Sequence, residues 1–204
     1  MDKNNLLKFH EIINYYYPLA KNILEDLSGI ANFEKYSKGE IIVDQGQLYD
    51  SLFIIEEGIA RISYRKDEYE TTLCFGHGGD IFTSFHSLFA NQPSTFTLQA
   101  LENVNGWRIP FARFQSLETQ YPELAMWMQK MLIEQFYSFE VLYQNHALCS
   151  PTEKYDNFLN YVMPNMQHVS TKSLTRTLPL KYLAQYLGIT PQTLSKIRRR
   201  IVGK

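Results

Sequence analysis

The chain has 204 residues, 45% hydrophobic and 14% aromatic, which suits one large or two small domains with a proper core and excludes a disordered chain. No apolar run reaches the roughly 18–20 residues that span a bilayer, and the polar start MDKNNLLKFHEI carries no leader pattern, so a cytoplasmic protein without a membrane partner is expected. The net charge of −1 conceals a split: residues 171–204 hold eight basic and no acidic side chains, leaving 12 basic against 21 acidic, a net −9, elsewhere. That is the layout of a basic module for a polyanion, nucleic acid first, on an acidic body.

In chain order, Leu6, Phe9, Ile12, Ile13 and Tyr16 recur at helical spacing, and Pro18 interrupts before the pattern resumes over 19–27. From Lys38 the pattern changes to short strand-like runs: EIIV (40–43), SLFIIE (51–56), IARISY (59–64), TTLCF (71–75), TFTLQA (95–100) and GWRIP (106–110). Turn signals separate them, among them Gly39, Gly46, Gly58 and the run GHGGD at 76–80. This spacing predicts an antiparallel sandwich or barrel, with glycines supplying positive φ at the corners.

Between two of these runs lies DIFTSFHSLFANQPSTF (80–96), with four phenylalanines and five hydroxyl side chains. From Ile81 to Leu101 no residue is charged apart from His86 when protonated. It reads as a loop, and its phenylalanines Phe82, Phe85, Phe89 and Phe96 either fill the core or line a pocket for a small apolar effector.

Residues 122–148 form a long helical pattern with Pro only at its start and no Gly. Leu132, Phe136, Phe139 and Tyr143 make one stripe, and Met128, Met131, Gln135 and Leu142 another beside it. Two adjoining stripes let one helix cover its own domain and pair with a second copy, and the second stripe is the expected dimer face. Ser150-Pro151-Thr152-Glu153 reads as a fresh helix start and a domain boundary.

The tail LPLKYLAQYLGITPQTLSKIRRRI (178–201) carries the most specific pattern. Leu180, Leu183, Ala184 and Leu187 form the buried face of a short helix, Gly188 ends it in the left-handed conformation, and Ile189 plugs the turn. Thr190 caps the next helix, Pro191 takes its first position, and Leu194 and Ile197 return to the core. This spacing predicts a DNA-binding helix-turn-helix. Residues near the N-terminus of the second helix meet base edges, so Gln192, Thr193 and Lys196 are the expected readers. Thr190, Ser195, Arg198 and Arg199 are placed for phosphates, with Arg200 beside them.

Taken together, KGEIIVDQGQLYDSLFIIEEGIARISY (38–64), GGDIF (78–82) and the tail resemble the Crp/Fnr family of bacterial transcription regulators, over nearly the whole chain and in wording similar to Bacteroidetes members. The resemblance implies an α+β fold: an antiparallel, cyclic-nucleotide-binding-like β-roll with flanking helices (1–121), a long dimerisation helix (122–149) and a C-terminal winged-helix or helix-turn-helix domain (150–204). It implies a homodimer reading a near-palindromic operator in double-stranded DNA, with RNA polymerase as a further partner. The chain stops four residues past Arg200, so a wing is expected mainly around 167–178.

One departure concerns the effector. In members that bind cyclic nucleotides, the segment after the Gly-Asp-like turn grips ribose with a Gly-Glu pair and phosphate with an Arg. Thr83-Ser84 and Ser94-Thr95 stand at those places here. A buried phosphate without a cation is costly, so a cyclic nucleotide is disfavoured, and the neutral loop around Phe82, Thr83, Ser84, Phe85, Ser94 and Thr95 suits a largely apolar effector or none.

Other cofactors fare no better. Two dispersed cysteines, Cys74 and Cys149, do not supply an iron–sulfur cluster and fit a reducing compartment. The lone His77 and His86 read as structural rather than haem-binding, and no histidine pair has metal-ligand spacing. No nucleophile elbow, carboxylate pair or phosphate-gripping glycine loop indicates an enzyme. A sensor or adaptor that keeps the fold without reading DNA is the alternative.

Overall fold

The computed structural model describes residues 3–166 and 178–202. Helix α1 (Lys3–Tyr16) ends two residues before Pro18, whose ring disfavours helical backbone at Tyr17, and α2 (Lys21–Ile30) follows. Eight strands come next, interrupted once: β1 (Asn32–Tyr36), β2 (Ile41–Val43), β3 (Ser51–Glu57), β4 (Ala60–Lys66), β5 (Tyr69–Gly76), β6 (Ile81–Phe82), helix α3 (Phe85–Ala90), β7 (Thr97–Ala100) and β8 (Val104–Pro110). They pair antiparallel in two four-stranded sheets of order β1-β8-β3-β6 and β2-β7-β4-β5. The antiparallel sandwich or barrel expected from the turn spacing, and the β-roll implied by the resemblance, are therefore present as two packed sheets. The short edge elements β1 and β6 and the helix inside the hydroxyl-rich loop are additions to that expectation.

Period-two alternation explains the layering. On β3, Phe53 and Ile55 point between the sheets with Val43, Ala60, Phe82, Leu98 and Val104. Leu52 and Ile54 point the other way, with Trp107 and Ile109, into a second core formed with the helices. Residues 51–56 are consequently buried on both faces. This helical layer is Phe9 and Ile13 of α1, Ile23, Leu24 and Leu27 of α2, Phe111 and Phe114 of α4 (Phe111–Glu118), and the first turns of α5 (Glu123–Leu148). Trp127 of α5 is fully buried there and its indole N–H donates to the Ile13 carbonyl at 2.7 Å, pinning the long helix to the first one.

The second sheet is covered by the C-terminal part. Ile59, Phe75 and Leu101 share a third core with Tyr155 and Phe158 and with helices α7 (Leu180–Leu187) and α8 (Pro191–Val202). The segment leading there is α6 (Pro151–Asn157), which runs on through a π-helical turn (Phe158–Val162) and a 3₁₀ turn (Met163–Asn165). Its start is a complete capping box: Ser150 Oγ accepts from the Glu153 N–H, and the Glu153 carboxylate accepts from the Ser150 N–H at 2.7 Å. No described helix is long and apolar enough to cross a membrane. The expected wing at 167–178 lies, except for Leu178, outside the described residues, as do Lys172, Arg176 and Lys204 of the basic tail.

Candidate nucleic-acid interface and effector loop

The helix pair α7–α8 is built by local capping chemistry. Gly188 has φ +63°, and its N–H donates to the Gln185 carbonyl at 3.0 Å while Ile189 N–H donates to the Ala184 carbonyl at 3.0 Å. These two bonds close α7 in a Schellman turn that needs a left-handed residue. Two residues on, Thr190 Oγ1 accepts from the Thr193 N–H at 3.1 Å and caps α8 ahead of Pro191. Leu183, Ala184, Leu187, Leu194 and Ile197 are buried where the helices meet, as their spacing predicts, with Tyr186 added and Leu180 only half-buried.

The opposite side of α8 is open. Gln192, Lys196, Arg199 and Arg200 are exposed, and Thr193 and Ser195 are half-buried. Arg198 stands apart from its expected phosphate role: it is half-buried and hydrogen-bonds the Tyr155 hydroxyl of α6. Burial raises the Tyr155 pKa, and the Arg198 charge opposes that rise.

The stripe expected as the dimer face packs within the chain. Met128 and Met131 are 8% and 1% exposed, packed into the core beneath α5. Gln135 donates its side-chain amide to the Ile81 carbonyl at 3.2 Å, and Leu142 packs toward the C-terminal core. This stripe serves its own chain. Of the other stripe, Leu132 packs against the core, whereas Phe136, Phe139 and Tyr143 are 61%, 64% and 67% exposed, a run at i, i+3 and i+7 along one side.

The effector loop is also rearranged by its own hydroxyls. Ser84 caps α3 by accepting from the Ser87 N–H at 3.3 Å, and Asn91 closes the helix at φ +49°. Thr83 Oγ1 donates to the Ser51 carbonyl at 2.8 Å, Ser87 Oγ to Gln92 at 2.9 Å, and Ser94 Oγ to Phe96 at 2.9 Å. Thr83, Ser84 and Ser94 are all buried in these contacts. Phe82 belongs to the core between the sheets, where its ring fills the space a Cβ on Gly76 would take, 2.3 Å away. Phe85 and Thr95 are exposed instead, and Phe85 stacks on Phe89 with ring centroids 6.3 Å apart. The six residues expected to line one effector pocket thus divide between the core and the surface.

An open groove of about 500 Å³ lies elsewhere, lined by Glu34, Lys35, Tyr36, Ile42, Tyr49 and Arg108. Arg108 Nε donates to Glu34 at 2.7 Å, and the Tyr49 hydroxyl is buried without a hydrogen-bond partner among the described residues. Burial pushes the Tyr49 pKa well above its ordinary value. No sequence pattern marks this groove, because strand β1 carries no alternation clear enough to place Glu34 and Tyr36. Among the described residues, no group of three His, Cys, Asp or Glu side chains is arranged to hold a metal ion.

Comparison with known proteins agrees with this architecture. Residues 33–121 match the cyclic nucleotide-binding domain family. The transcriptional activator protein Anr of Pseudomonas protegens is 21% identical over 189 residues, covering 90% of this chain and 77% of that protein. The structure of FixK2 from Bradyrhizobium japonicum superposes with a TM-score of 0.72 at 14% identity, covering 85% of each chain. The regulatory domain of Toxoplasma gondii PKA with cAMP gives a TM-score of 0.52 at 18% identity, over 57% of this chain and 45% of that one, so this chain spans less than half of it. Residues 33–121 thus resemble a cyclic nucleotide-binding domain, in a chain that is similar along most of its length to a transcriptional activator protein.

Proposed function

We propose that the chain is a sequence-specific, DNA-binding transcription regulator that acts as a dimer, divided into a β-roll sensor (1–121), a dimerisation helix (122–149) and a DNA-binding unit (150–204). The observation that carries this reading is α8. Its Leu194 and Ile197 are buried against α7 while Gln192, Lys196, Arg199 and Arg200 stand in solvent on a unit with no acidic residue from 178 to 202. A short capped helix with that polarity enters a major groove, where Gln192 and Lys196 meet base edges and Arg199 and Arg200 meet phosphates. The exposed stripe Phe136, Phe139 and Tyr143 supports pairing of two copies along α5. Two copies of α8 then address half-sites about one helical turn apart. The β-roll signal is one other than a cyclic nucleotide, since the cassette positions Thr83, Ser84 and Ser94 offer no charge and spend their hydroxyls on the backbone.

Selection of duplexes from a random pool, followed by titration at several stated salt concentrations, tests this. Arg199→Ala should weaken binding to every duplex and lower the salt slope by about one, whereas Gln192→Ala or Lys196→Ala should change the preferred bases. If wild type enriched no duplex, the chain would be a sensor or adaptor that keeps the fold without reading DNA.

A further inference from the structure

A buried cation of the β-roll joins the second sheet to α7. Arg61 on β4 is 2% exposed, and its Nη2 donates to the Glu70 carboxylate at 2.6 Å and to the Gln99 side-chain oxygen at 3.2 Å. Its guanidinium lies 3.8 Å from the centre of the Tyr182 ring, so the first helix of the C-terminal pair forms the lid over it. One turn along, Gln185 accepts from Thr72 Oγ1 at 2.9 Å and donates to the Glu70 carbonyl at 2.6 Å. Tyr186 then meets Phe75 with ring centroids 5.4 Å apart. Residues 182, 185 and 186 form one side of α7, and Leu183, Ala184 and Leu187 another. The helix is held by the β-roll on one side and by its own domain on the other.

The chemistry of this contact favours orientation over stability. Among the described residues, Arg61 Nε and Nη1 are buried without acceptors, so the cation has lost water at more positions than these residues replace. An ion pair whose cation is buried and whose carboxylate is half-buried contributes little net stability, because desolvation of the cation cancels most of the attraction. Its planar guanidinium nevertheless accepts few poses between a carboxylate and an aromatic face. Departure of α7 would rehydrate Arg61, so the docked pose is specific and reversible.

We propose that Arg61 is a positioning residue for DNA reading: through Tyr182 and Gln185 it fixes the rotation of α7–α8 relative to α5, and with it the half-site spacing a dimer accepts. This rests on the DNA-binding function proposed above. Each base pair of spacing rotates one half-site by roughly 34° about the duplex, so a unit free to swivel would tolerate spacings that a latched one rejects.

The test uses full-length protein, a duplex selected by wild type, and a series in which the distance between its half-sites is varied over about one helical turn. Wild type should lose about tenfold or more in affinity two base pairs from its optimum, whereas Arg61→Met should vary by less than about threefold across the series. Affinity for a single half-site should stay within about twofold, a combination that general destabilisation would not produce. Tyr182→Leu should flatten the profile equally, and the double variant should add nothing, as expected if both act through one contact. Spin labels on ketone side chains introduced at exposed Tyr69 and Lys181, in chains diluted with unlabelled protein, should give one narrow distance in wild type and a broad range in Arg61→Met. An unchanged spacing profile in both single variants would overturn the proposal, as would a narrow distance in Arg61→Met. Wild type binding no duplex would overturn the DNA-reading function instead, and the label distances would still report whether the latch exists.

Discussion

Adding cyclic AMP or cyclic GMP should leave the stability of this protein unchanged, despite its cyclic nucleotide-binding fold. To grip a cyclic phosphate, the cassette would have to redirect the hydroxyls of Thr83, Ser87 and Ser94 from the carbonyls of Ser51, Gln92 and Phe96. Leaving the buried Ser51 carbonyl without its donor costs about 1–3 kcal/mol, and losing the two part-buried bonds to Gln92 and Phe96 about 0.5–1.5 kcal/mol each, or about 2–6 kcal/mol for the three. A micromolar complex is worth only about 8 kcal/mol in all, so this cost consumes about a quarter to three quarters of it before the anion itself is desolvated. The assay is thermal unfolding with and without about 1 mM nucleotide. A ligand present at 100 times its Kd adds about 2.7 kcal/mol, which for a chain of this size raises Tm by about 5–10 °C. The expected shift is below about 1 °C. A rise of about 5 °C or more would show that the hydroxyl network yields to phosphate and would refute the reasoning from committed donors.

Three further outcomes follow from single contacts. Gly188→Ala places a Cβ in left-handed backbone and should lower the urea midpoint by an amount equivalent to about 1–2 kcal/mol with the m-value unchanged; no loss would mean the Schellman turn is not needed. His146 packs against Tyr186, and burial and then the Lys154 charge lower its pKa below the ordinary 6.5. The unfolded chain therefore takes up that proton first, and stability should fall as pH drops below 6.5, a dependence that chemical denaturation should find reduced in His146→Gln. Replacing Phe136 and Phe139 together by Glu should weaken self-association about 100-fold or more in sedimentation equilibrium, while Met131→Ala should destabilise the fold by about 2–5 kcal/mol without that selective loss.

Legibility in the sequence followed the range of the interaction. The turn between α7 and α8 could be read residue by residue, because Gly188, Thr190 and Pro191 act on backbone groups within a few positions of themselves. Strands β2–β5, β7 and β8 were marked by turn residues at their ends. Strand β6, two residues long, is too short for any period, and β1 (NFEKY) exists because β8 pairs with it from 70 residues away, Lys35 opposite Asn105. Helix α3 was hidden by composition: hydroxyl-rich segments read as loops, yet Ser84 is the cap that starts this one.

Where the reading of faces failed, the missing quantity was tertiary. Periodicity found both stripes of α5 but assigned the pairing role to the one that covers its own core. Met128 and Met131 lie in the first half of the helix, where Phe114 and Trp127 already form a layer over the first sheet. Phe136, Phe139 and Tyr143 lie beyond it, with no such layer among the described residues beneath them. Arg61 is buried by a contact that no local pattern carries. On β4 it sits in a run that predicts an outward-facing cation in water, and 121 positions separate it from the tyrosine that buries it. A charge is cheap to read as solvated and expensive to bury, so a buried one is visible only when the fold brings its lid into place. That asymmetry is why the helix pair α7–α8 could be found from sequence, whereas the contact that docks α7 on the β-roll could not.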